Sequence, residues 1–216
     1  MKQVIPQYKT RGDFAHEMID KYFKSSPNKT VSDIGAGFGF MGEKIKNSGG
    51  DWQPFDYVRK IEESIIWDLN CSEPENVKKA GMVIFLEVLE HLANPLLAIQ
   101  NISDHIEKGG FLVLTTPNPQ SSKNRINLMV KGTLYAFQEK HLQEHHVFTP
   151  WEHIVKMFLE QTGFEILEYA IVDTAYQGEK PKTVKAYLKK VIERSIEKYN
   201  PKSVGMSYGI VAKKSK

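Results

Sequence analysis

Val31-Ser-Asp-Ile-Gly-Ala-Gly-Phe-Gly-Phe-Met41 is the stretch on which the reading of this chain turns. Thr30 to Ile34 is short and rich in β-branched residues. Gly35, Gly37 and Gly39 then interrupt it, with Ala36 between the first two, and Phe40 to Asn47 alternates apolar and charged side chains. The pattern predicts a strand, a glycine turn and a helix. Such a turn lets the backbone approach a ligand closely and points free N–H groups at it, which suits a nucleotide-like cofactor.

Two cofactors compete for that turn. Gly37-x-Gly39-x-x-Gly42 also satisfies the dinucleotide fingerprint, and a lone match of that kind is weak. Asp33, at the end of the strand, separates them. A dinucleotide would bring a pyrophosphate that a neighbouring carboxylate repels, whereas S-adenosylmethionine brings a cationic amino acid that the carboxylate attracts. Asp33 favours S-adenosylmethionine, unless it does no more than cap the turn.

The chain around this stretch has 216 residues and a formal net charge of +3. That length suits one domain, residues 1–216, with a substantial core, and the apolar, charged and aromatic fractions are those of a globular protein. A net charge so small gives no electrostatic case for nucleic acid. Cys71 is the single cysteine, so there is no intramolecular disulfide and no thiolate metal cluster, which fits a reducing compartment. Met1 to Arg11 lacks the apolar core of a secretory leader and no run approaches membrane-spanning length; the expectation is a cytoplasmic protein.

Upstream, in a predicted N-terminal helical segment (1–29), Asp13 to Lys24 places Phe14, Met18, Ile19, Tyr22 and Phe23 on one helical stripe. Downstream, Asp51 to Phe55 reads as a second strand ending in Asp56, where a carboxylate can accept both hydroxyls of a ribose. Ser64 to Trp67 reads as a third strand, followed by Asp68-Leu69-Asn70; the short span from Asp56 to Asp68 leaves room for only a turn or two of helix. Met82 to Leu86 is an unbroken apolar run, the mark of a buried parallel strand. A helical turn starting directly after it would put Glu87, Glu90 and His91 on one side, able to hold a divalent cation or orient a base, or else to form a solvated helix start.

Asn94-Pro95 is a helix start, Lys108-Gly-Gly its end, and Phe111 to Thr115 another strand closing on Thr116-Pro-Asn118. Strands and helices alternate, which argues for a doubly wound α/β sheet with a cofactor-binding core over 30–118. Residues 119–148 form a polar excursion with a helix near Lys123 to Val130 and with His141, His145 and His146, suited to an acceptor lid. Thr149-Pro-Trp-Glu152 reads as a capped helix start, and Phe164 to Val172 and Tyr208 to Ala212 as final strands. Between them, within a basic insertion (176–203), Thr183 to Tyr199 is amphipathic. One side carries Val184, Tyr187, Leu188, Val191, Ile192 and Ile196 and the other mixed charge, as in an inserted cover with a solvated face or a helix that meets a membrane surface or an acidic partner.

Taken together, Asp33-x-Gly35-x-Gly37-x-Gly39, Asp56, Asp68-Leu69-Asn70, Glu87-Val-Leu-Glu-His91, Lys108-Gly-Gly-Phe-Leu-Val-Leu-Thr-Thr-Pro-Asn118 and His146-Val-Phe-Thr-Pro150 resemble the class I S-adenosylmethionine-dependent methyltransferases over about Thr30 to Glu168. The resemblance implies a Rossmann-like seven-stranded sheet in the order 3-2-1-4-5-7-6 with strand 7 antiparallel. It implies that Asp33, Gly35, Ala36, Gly37 and Gly39 contact the methionine part, Asp56 the ribose, Asp68 and Leu69 the adenine edge, and Leu86 and Glu87 the floor beside the sulfonium. His91, His145 and His146 are then candidates for base or metal ligand. The Glu-x-x-Glu-His run is similar to that of metal-dependent small-RNA 2′-O-methyltransferases, which would add Glu87, Glu90, His91 and His146 as a divalent-ion set. It is equally similar to quinone-precursor O-methyltransferases. The Thr116 to Arg125 loop resembles that of saccharide-pathway and natural-product methyltransferases. A small-molecule or sugar hydroxyl is the expected acceptor, with S-adenosylhomocysteine as product. A nicotinamide-linked reductase and a non-catalytic partner on the same fold remain as alternatives from other classes.

Overall fold

Seven strands form one sheet in the computed structural model: β1 (Thr30–Ile34), β2 (Asp51–Asp56), β3 (Ile65–Ile66), β4 (Ala80–Leu86), β5 (Ile106–Pro117), β6 (Phe164–Val172) and β7 (Ser207–Lys214). Their order is β3-β2-β1-β4-β5-β7-β6. The first five pair in parallel, while β7 runs antiparallel to both β5 and β6. Residues 4–178 and 180–215 are described, 140 and 142 by their backbone alone. Residues 1–3, 179 and 216, which belong to the expected N-terminal segment, the insertion and the tail, lie outside the described residues.

The unbroken apolar run of β4 follows from its place in the sheet. Successive side chains of a strand point to opposite faces. Val83 and Phe85 pack on one face with Ala98, Ile99 and Ile102 of α3 (Pro95–His105) and Val155 and Leu159 of α6 (Glu152–Gln161). Met82 and Ile84 pack on the other with Phe14, Ala15, Met18 and Ile19 of α1 (Arg11–Tyr22) and Ile45 of α2 (Gly42–Asn47). Two cores therefore sandwich the sheet, and a central strand has no solvent face to make polar. Gly209 of β7 lies under α1, where a Cβ would sit 2.6 Å from a Phe14 ring carbon, so the helix crosses the strand only because no side chain stands there.

Local chemistry sets the helix ends. Thr10 caps α1 by accepting from the Asp13 N–H while the Asp13 carboxylate accepts from the Thr10 N–H, both at 3.1 Å. Thr10→Ala removes half of that exchange and should cost about 1 kcal/mol of stability, read as a lower urea midpoint at unchanged slope. Asn94 caps α3 as its sequence suggests. Thr149-Pro-Trp-Glu152 behaves differently: Trp151 is the cap residue and makes no side-chain cap bond, while Glu152 is buried and pairs with Lys156 and Lys202. Charge pairing across elements has taken the acid away from capping. The Asp56–Asp68 link is shorter than expected, with one hydrogen-bonded turn, Ser64 N–H to the Ile61 carbonyl, in place of a helix.

The excursion after β5 contains α4 (Ser122–Lys131) and the short α5 (Glu139–Leu142). The connection between β6 and β7 carries α7 (Val184–Tyr199), capped by Thr183. Its amphipathic pattern reads correctly as a helix and wrongly as a cover with an apolar inner side. Val184, Tyr187, Leu188, Val191 and Ile192 are exposed, whereas Glu193 is buried. Periodicity identifies a face without saying which way it turns.

Candidate cofactor cleft and histidine cluster

The carboxyl ends of β1, β2 and β4, with the segment after β3, open onto one cleft of about 720 Å³. Gly35 lies at its base with φ +78°, and a Cβ there would approach Val88 to 2.3 Å. The turn is therefore closed tightly against Val88, which lines the cleft beside it. Gly37 and Gly39 also take positive φ, and a Cβ on Gly37 would meet only the Gly35 carbonyl oxygen, at 4.0 Å. The Gly37 N–H donates to Asp56 Oδ2 at 2.9 Å, so the turn fixes the carboxylate of the neighbouring strand. Asp56, Asp68, Leu69 and Asn70 line the cleft together with Tyr57, Lys60 and Trp67. Asp68 Oδ1 accepts from the Asn70 backbone and side chain, which holds this second carboxylate in place.

Five residues placed at the cofactor by sequence, Asp33, Ala36, Gly37, Gly39 and Leu86, lie apart from this lining. Asp33 is 4% exposed and accepts a 3.1 Å hydrogen bond from the Trp52 indole. Burial pushes its carboxyl up to about 6, against the lowering effect of that bond and with help from Asp56. Ala36 is buried, and Leu86 is half-buried on the side of α1.

Glu87 and Glu90 part company. Glu87 takes a left-handed φ of +53°, which breaks the helical turn expected to start there and would be costly without support from its surroundings. Its Oε2 meets an Arg11 guanidinium nitrogen at 3.1 Å and accepts from Ser207 at 3.1 Å, and its Oε1 is buried with no hydrogen-bond partner. Arg11 also pairs with Asp173 at 2.8 Å, tying the start of α1 to the floor of the cleft. Glu90 accepts from Thr116, at 1% exposure, so it is no solvated helix start. Burial raises the pKa of both acids. Arg11 lies upstream where the sequence allows it to fold over the cofactor mouth, and it reaches Glu87; Asp173 and Ser207 were not legible as site residues, because they come from distant segments.

Glu90 and His91 sit on a single 3-10 turn after β4, and the excursion brings His146 against them. The His91 and His146 rings lie 4.6 Å apart at 87°, and one donor atom from each of Glu90, His91 and His146 falls within 4.8 Å of the others. Glu87 is not in that group. His91 Nδ1 lies 2.6 Å from the Glu144 carbonyl oxygen. A carbonyl only accepts, so Nδ1 carries a proton, and in the neutral ring Nε2 keeps its lone pair. His91 and His145 line the cleft, His145 at a positive φ of 59° and exposed. His146 stands behind His91, and burial lowers its pKa.

These elements fit S-adenosylmethionine in kind: a glycine turn beneath, carboxylates for a ribose and an adenine edge, and a buried carboxylate with an unpartnered oxygen on the floor. Comparison with known proteins agrees. A family model described as a methyltransferase domain matches residues 9–169. The ubiquinone biosynthesis O-methyltransferase of Rickettsia typhi is 25% identical over 170 residues, 73% of this chain and 69% of that one. The tRNA U34 carboxymethyltransferase of Klebsiella pneumoniae is 25% identical over 178 residues, 76% of this chain but 51% of that one. The crystal structure of an S-adenosylmethionine-dependent methyltransferase from Archaeoglobus fulgidus superposes with a TM-score of 0.59 at 20% identity, covering 95% of each chain. With the sheet order, the glycine turn and the family match in agreement, this chain belongs to the methyltransferase-domain family and is a class I S-adenosylmethionine-dependent methyltransferase.

Proposed function

We propose that the enzyme methylates the hydroxyl of a small molecule or sugar, with His91 taking the hydroxyl proton. Bound S-adenosylmethionine supplies a methyl group already activated on a sulfonium, so the chain's own task is to align the acceptor, exclude water and receive one proton. The observation that carries this reading is the tautomer of His91. Its Nδ1–H is committed to the Glu144 carbonyl, and its Nε2 is left as an acceptor in a residue that lines the cleft. Asp33 and the glycine turn (Gly35, Ala36, Gly37, Gly39) hold the amino-acid end, Asp56 the ribose, and Asp68 with Leu69 the adenine edge. Glu87 forms the floor, and Leu86, packed toward α1, supports it from beneath. His145 and the excursion 119–148 close over the acceptor, and His146 orients His91. An O-methyltransferase among the similar proteins supports the hydroxyl class. The exposed thiol of Cys71 suits a reducing cytoplasmic setting.

A second reading has its own observation. The donors of Glu90, His91 and His146 are close enough to share one divalent ion, and an ion there would bind the acceptor oxygen of a hydroxylated small molecule or of an RNA 2′-hydroxyl. Calorimetric titration with S-adenosylhomocysteine, with and without Mn²⁺, followed by rates on catechols, sugar nucleotides and short RNAs, tests both. Metal-independent binding and turnover of a small hydroxyl compound is the expected result. Metal-dependent turnover of RNA alone would replace the first reading with the second. Failure of the folded protein to bind S-adenosylhomocysteine would overturn both.

A further inference from the structure

We propose that α7 is a membrane-surface anchor that lies its apolar stripe on anionic lipid headgroups. The helix is docked by its polar side. Glu193 is buried and pairs with Lys189 at 3.7 Å, and Glu197 accepts from Ser122 at 2.7 Å, Gln177 at 3.1 Å and Tyr176 at 3.2 Å. Lys190 donates to the Gln177 carbonyl. The Glu197 and Lys190 bonds hold the helix to α4 and the 3-10 turn at Ala175–Gly178 and turn the opposite face outward. There Val184, Tyr187, Leu188, Val191, Ile192 and Tyr199 are each 46–87% exposed, a density of large apolar side chains that an ordinary solvated helix does not carry.

Charge decides what covers this stripe. At 100° per residue, Lys185 flanks it on one side with Lys189 one step further round, Arg194 flanks it on the other, and Lys198 falls within it between Tyr187 and Val191. Both acids of α7 are turned inward, so the outward charge of the helix is uniformly positive. The preceding loop adds exposed Lys180 and Lys182. A second copy docked through the same face would set this positive rim against itself. A bilayer surface bearing anionic lipid satisfies both features at once, since the apolar side chains enter the headgroup–acyl boundary and the basic rim meets the phosphates. No helix among the described residues is long and apolar enough to cross a membrane, so the attachment is to one face of the bilayer.

The test is co-sedimentation of the full chain with vesicles of phosphatidylglycerol and phosphatidylcholine mixed, against phosphatidylcholine alone. The protein should pellet with the anionic vesicles at low salt, release as salt rises, and ignore the neutral ones. Leu188→Asp with Ile192→Asp, both exposed and so neutral to folding, should abolish pelleting. Lys185→Glu alone should weaken it roughly fivefold or more. Binding of S-adenosylhomocysteine should be unchanged in each variant. Absence of pelleting with the anionic vesicles would overturn the proposal. So would a concentration-dependent dimer in sedimentation velocity that the aspartate pair dissolves, since α7 would then be covered by a second copy.

Discussion

His91→Ala should lower kcat by roughly 10²- to 10⁴-fold on a hydroxyl acceptor, the usual range for loss of a positioned general base, while leaving the affinity for S-adenosylhomocysteine within about twofold. The expectation rests on what the side chain touches. Its Nδ1–H is held by the Glu144 carbonyl, its ring packs edge-on against His146, and its remaining nitrogen is the one able to receive a proton. The side chain is 35% exposed, so the truncation should barely move the melting temperature. His146→Ala should act through His91, raising KM and lowering kcat by less. Chelation separates base from metal: wild-type rates that survive EDTA identify His91 as the proton acceptor, whereas rates abolished by EDTA and restored by Mn²⁺ would assign the loss in His91→Ala to a missing ligand.

Asp33→Asn should move stability and affinity in opposite directions. Burial holds the Asp33 carboxyl at about 6, above the ordinary aspartate value, so the empty protein keeps the charged form at a cost when the pH is neutral. The sign follows from linkage. A raised folded pKa gives stability that is fully present below the unfolded value and is lost as pH rises through about 6. Removing the charge at pH 7 should therefore stabilise the apo protein by about 1–3 kcal/mol. The cofactor's ammonium, by contrast, needs the carboxylate, and its loss should weaken binding roughly 10- to 100-fold. In the wild type, affinity should be flat above neutral pH and fall up to about tenfold per pH unit below 6 as protons compete for Asp33. Paired calorimetry and thermal melts from pH 5 to pH 8 would measure both. Parallel losses of stability and affinity in Asp33→Asn would show Asp33 to be a structural acceptor for Trp52 and nothing more.

The amino-acid sequence by itself determined the sheet and the place of the cleft. Alternating strand and helix patterns, the unbroken run Met82 to Leu86, and acids recurring at strand ends are local signals, because burial on one or both faces imposes a period on consecutive residues. The glycine turn and Asp56, Asp68 and His91 were legible for that reason. Only the tertiary structure decided the rest. Glu87 left the Glu90–His91 group because a left-handed backbone aims it at Arg11 and Ser207, which the sequence places far away. His146 joined His91 because the excursion folds back so that the Val147 and Phe148 N–H groups donate to the Glu90 carbonyl. His105, at 0% exposure between Ser32 and Glu73, is a core histidine that no local pattern announces. The direction in which α7 turns its apolar stripe was likewise hidden, since amphipathicity is a property of one helix and burial is a property of what that helix meets.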